Sequence, residues 1–88
     1  MTDQAMPEPG TRVSVAPREW QPSPGIEGQT YHDIVIVNIQ DSDDPRFAWV
    51  HGHGVECSWA TADCTAPWCY EVLVGVDVLA ATAAGERP

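Results

Sequence analysis

The chain of 88 residues contains no lysine, and its four basic residues are all arginines, set against thirteen aspartates and glutamates. The resulting formal charge of −9 repels phosphate, which argues against direct binding of DNA, RNA or an anionic membrane and is compatible with a basic protein partner or with imitation of nucleic-acid charge. No apolar run approaches the roughly 18 to 20 residues that span a bilayer. None is longer than a run such as Ile34 to Val37, which has the length of a strand. The opening MTDQAMPEPG has neither the basic region nor the apolar stretch of a signal peptide, so a cytoplasmic location is expected. The missing lysine, with alanine, valine and arginine favoured, suggests the coding bias of a GC-rich bacterium or its phage. At this length one hydrophobic core is the only reasonable count, with a net stability of about a few kcal/mol unless a disulfide, a metal or a partner chain staples the fold.

Several catalytic and ligand-binding patterns are absent too. The chain has no nucleophile elbow, no phosphate-binding glycine loop and no His-Glu-x-x-His helix, so a non-enzymatic role is expected. Asp41, Asp43 and Asp44 do not make a calcium loop, because Pro45 and Phe47 occupy positions that an EF-hand cannot give up.

What is present is β pattern. Thr11 to Val15 alternates and ends at Pro17; Tyr31 to Gln40 is β-branched and almost continuous, which predicts a strand covered on both faces. Asp41 to Pro45 is a turn by composition, and Arg46 to His51 is the return strand of a hairpin. Phe47 and Trp49 share one face of that strand and are assigned to the interior, with Ala48 and Val50 on the other. Gly52 and Gly54 mark a bend, after which Val55 to Trp59 can resume pairing. Trp68 to Val74 is a further strand, and Val76 and Val78 continue its alternation across Gly75. Leu79 to Ala84 fits a single helical turn capped by Gly85. Residues 1–10 and 81–88 read as flexible tails around one domain at 11–80, in which 18–30 is a long ordered loop.

The segments GTRVSV, YHDIVIVNIQ, RFAWVHG and WCYEVLVGVDVL together resemble the SH3-like small β-barrel, about five short strands with a long loop after the first. They cover somewhat under half of the chain. The resemblance implies loops and one face that hold a peptide or another protein, without fixing a single function. The cysteine-bearing stretch from 57 to 69 is longer than such a barrel expects at that place.

That stretch carries the most chemistry. His51, His53, Cys57, Cys64 and Cys69 are five imidazole or thiol groups within 19 residues, the donor types that zinc prefers. Cys64 and Cys69 have ligand-like spacing; Cys57 and Cys64 do not. A zinc site would take the three cysteines with one of the two histidines, which lie two apart on one strand face. The competing readings are three small buried thiols with no cofactor, a Cys57–Cys64 or Cys64–Cys69 disulfide, and a thiol enzyme in which His51 or His53 activates Cys57. Trp20, Trp59 and Trp68 sit on loops or loop edges and are the expected partner-facing anchors. An exposed edge at residues 11–15 could also pair into a homodimer, against the repulsion of the net charge.

Overall fold

The computed structural model describes residues 6–54 and 69–86. Five strands form one antiparallel sheet, β1 (Arg12–Val15), β2 (Trp20–Gln21), β3 (His32–Asp41), β4 (Phe47–Gly54) and β5 (Tyr70–Gly75), followed by a single helix, α1 (Val76–Ala83). The strand order is β1-β3-β4-β5-β2. The two edge strands are therefore joined by only residues 16–19. Laid flat, five strands would put their outer members about 19 Å apart. The link is instead a tight turn in which the Glu19 N–H donates to the Ala16 carbonyl at 3.0 Å, which holds its ends within about 7 Å. The sheet consequently curls into a half-barrel, and the mainly β architecture agrees with the sequence pattern.

Two Pro-containing turns bracket β1. In Glu8-Pro9-Gly10-Thr11 the Thr11 N–H donates to Glu8 and Gly10 has φ 92; in Ala16-Pro17-Arg18-Glu19 the equivalent position is Arg18 with φ 73. Proline second and a left-handed residue third is the signature of a type II turn.

The concave face is the core. Register places Val13 opposite Ile34, and Ala48 and Val50 opposite Val74 and Val72, with Val78 and Leu79 of α1 packed against them. This corrects the assignment of β4's faces: Ala48 and Val50 are interior, whereas Phe47 and Trp49 lie half-buried on the outer face. A strongly curled sheet leaves little volume inside, and small or β-branched side chains fill it better than an indole. Gly52 faces Ile36, and any Cβ there would run into the Val35 carbonyl and the Ile34 side chain. A register shift between Ile36 and Asn38 marks a bulge at Val37, which returns Ile39 to the core side. Val35 and Val37 are half-buried on the outer face.

The continuation of a strand past Gly75 is also corrected. Phe47 is the first residue of β4 and pairs with Gly75, so a longer β5 would find no ladder partner. The chain turns helical instead, with the Val76 N–H donating to Arg46 and Asp77 accepting from the Val78 N–H at 3.0 Å. The helix runs past residue 80 and ends as the sequence indicates: Gly85 has φ 75, and the Gly85 and Glu86 N–H groups donate to Thr82 and Ala81. At the other end of the chain Met6 packs on the core. No helix among the described residues is long and apolar enough to cross a membrane.

Candidate functional site

Three groups of residues bear on function. The first lies on the outer face of the β4–β5 ladder. His51 is directly opposite Glu71, and its Nε2 is 2.8 Å from the Glu71 carboxylate. One rung further on, where the Cys69 N–H donates to the Gly52 carbonyl, His53 Nδ1 lies 3.2 Å from Cys69 Sγ. Both histidines are buried, 4% and 1% exposed, while Cys69 is exposed. Antiparallel pairing thus brings together His53 and Cys69, two of the five zinc donors expected from sequence. His51 is oriented by Glu71 instead, and Cys57 and Cys64 lie outside the described residues. Among the described residues no three metal-binding side chains converge. The His53–Cys69 separation is nonetheless close to the roughly 3.5 Å that tetrahedral zinc imposes on one sulfur and one nitrogen ligand, given bonds of about 2.3 and 2.0 Å.

The second group is aromatic. Trp20 pairs with Val74 and packs against the core. Its ring covers Gly28, where a Cβ would collide with the indole, and its Nε1–H donates to the Thr30 carbonyl at 2.9 Å. His32 stacks on Trp20 at 5.1 Å between centroids and meets Tyr70 edge-on at 4.7 Å. The His32 Nε2 atom is buried and has no hydrogen-bond partner among the described residues. Trp20 therefore anchors the long loop onto the barrel, with help from the Arg18 N–H bond to Gly28 and the Gly28 N–H bond to Trp20. Trp59 and Trp68 lie outside the described residues. Among the described residues the exposed large apolar side chains are Ile26 in the loop, at 58%, and Tyr31 just after it, at 81%.

The third group was not singled out from the sequence. The long loop and the β3–β4 hairpin turn face each other across a recess of about 240 Å³. Gln21, Pro24 and Gly25 form one bank, Asp43, Asp44 and Arg46 the other, and Trp49 and Leu73 contribute apolar surface. Ser42 fixes the turn, its hydroxyl donating to the Phe47 carbonyl at 2.7 Å and accepting the Asp44 N–H at 3.2 Å. Asp44 binds Arg46 through both carboxylate oxygens, at 3.1 and 2.8 Å, and also accepts its backbone N–H at 2.9 Å. The guanidinium bonds, then the backbone bond, lower the Asp44 pKa to about 2. Asp43 has no charge partner among the described residues. The sequence signal available was the run Asp41 to Pro45; with Trp49 assigned to the interior, the recess could not be assembled.

No family model matches the chain, and neither a curated protein nor a solved structure is significantly similar to it.

Proposed function

We propose that this protein is a non-enzymatic interaction module, an SH3-like half-barrel of the cytoplasm that holds a segment of a basic protein partner. The recess between the long loop and the hairpin turn carries the reading. It combines an apolar floor, a half-buried tryptophan and an uncompensated carboxylate at Asp43, and indole and charge of this kind anchor protein interfaces. The net charge of −9 supports a basic partner over nucleic acid or anionic lipid. Trp20, named from sequence as a partner anchor, serves this arrangement by fixing the loop.

The test is capture of partners from extract by the full chain, compared with Trp49→Ala and Asp43→Asn. A basic protein bound by the parent chain, lost with Trp49→Ala and weakened by Asp43→Asn and by added salt, supports the reading. Capture indifferent to both substitutions overturns it.

A second reading is favoured by the His53–Cys69 contact: a zinc ion that substitutes for missing core, held by those two residues with Cys57 and Cys64. Such an ion would supply folding free energy and would not require the protein to be an enzyme.

A further inference from the structure

On the other side of the same hairpin the barrel carries a larger groove, of about 700 Å³. Met6 and Pro9 of the amino-terminal segment form one wall, Pro45 and Phe47 the other, with Ile39 and Val76 also lining it. The apolar surface is bordered by acid. Asp41 lines the groove, and Glu8 is exposed beside it, between the lining residues Pro7 and Pro9. Neither carboxylate has a charge partner among the described residues.

We propose that this groove is a second docking surface, for an extended peptide segment that alternates apolar and basic residues. The apolar side chains enter between the proline walls, and the basic ones meet Asp41 within the groove and Glu8 at its rim. Charge selects this occupant over the alternatives. A second copy of the chain brings a further −9, and in residues 1–5 the one charged side chain is Asp3, which the two carboxylates repel. The proposal rests on the reading that the chain binds a protein, and it assigns to that partner a segment distinct from the one in the Trp49 recess.

The experiment is an amide chemical-shift titration of the full, isotope-labelled chain with two synthetic peptides, one alternating leucine with arginine and one alternating leucine with glutamate. The leucine–arginine peptide is expected to shift the amides of Met6, Gly10, Ile39, Asp41, Phe47 and Val76, and the leucine–glutamate peptide to leave them unmoved. Asp41→Asn and Glu8→Gln should each weaken the arginine peptide by about two- to fivefold, the range of exposed ion pairs. Both variants lie at exposed positions, and their unperturbed spectra elsewhere confirm the fold.

Equal binding of both peptides, or binding unchanged in both variants, overturns the proposal. Shifts confined to Gln21, Asp43, Trp49 and Leu73 also overturn it while leaving the interaction-module reading intact. Failure of that reading is recognised separately, by partner capture indifferent to Trp49→Ala and Asp43→Asn. Groove shifts that depend on protein concentration without peptide would assign the surface to a second copy. Nuclear Overhauser contacts from Thr2 or Ala5 methyls to Phe47 that persist with peptide would assign it to the chain's own first residues. Either result sinks the proposal.

Discussion

His53 Nδ1 and Cys69 Sγ lie 3.2 Å apart across neighbouring strands, although 16 positions separate them in sequence. His53 is buried and Cys69 exposed. The zinc reading makes this pair half of a tetrahedral site. Native mass spectrometry of the freshly purified chain is then expected to show one zinc, removed by a chelator, and absent in both His53→Ala and Cys69→Ser. An apo mass in the parent chain under the same conditions removes the metal reading.

Gly10 and Arg18 occupy equivalent left-handed places in the two turns around β1, and they should respond in opposite senses to substitution. Nothing lies within 4 Å of a Cβ built on Gly10, so Gly10→Ala tests backbone conformation alone and is expected to cost about 1 kcal/mol. Arg18→Gly removes the same kind of strain at φ 73. Its gain is partly offset by the extra freedom of glycine in the unfolded chain, leaving a net stabilisation of about 0.5 kcal/mol. Among the described residues, the ion pair it gives up is the exposed 3.7 Å contact with Glu27, which contributes little. Urea unfolding of both variants decides the point.

Gly52 is needed for a different reason. Its backbone is not left-handed; β4 instead passes so close to β3 that a methyl group meets the Val35 carbonyl and the Ile34 side chain. Because a carbonyl within a ladder cannot yield like a flexible side chain, Gly52→Ala is expected to cost about 3 kcal/mol or more. In a domain this small that approaches the whole stability. The variant should therefore have lost most of its folded spectrum at room temperature; a fully folded Gly52→Ala would refute the close approach.

Asp44 gives a pH signature. Its folded pKa of about 2 lies below the ordinary value of 3.8, so the group favours the folded state fully above its unfolded pKa, and that contribution disappears as pH falls through about 2. The stability difference between the parent chain and Asp44→Asn should be constant above about pH 4 and should shrink below it as the parent's carboxylate is protonated. A difference that instead grows on acidification would show that the Arg46 bonds do not set this pKa.

The elements with local signals were readable from sequence. β1 and β3 follow from alternation and β-branched residues, the hairpin turn from Asp, Ser and Pro, and the end of α1 from Gly85, because each depends on neighbours a few positions away. Period two also identified which residues of β4 share a face. It could not say which face is inside, since Phe47 with Trp49 and Ala48 with Val50 are both apolar sets; the narrow concave volume of a curled sheet decided that. Helix α1 replaced the expected strand because β4 has no residue left to pair beyond Gly75, a fact of register. The bulge at Val37, the Trp49 recess and the meeting of His53 with Cys69 are likewise products of how strands align. Sequence by itself determined the β class, the turns and the acidic surface, which are local or additive properties. Only the tertiary structure decided which side chains meet, because antiparallel register joins residues whose separation along the chain carries no pattern.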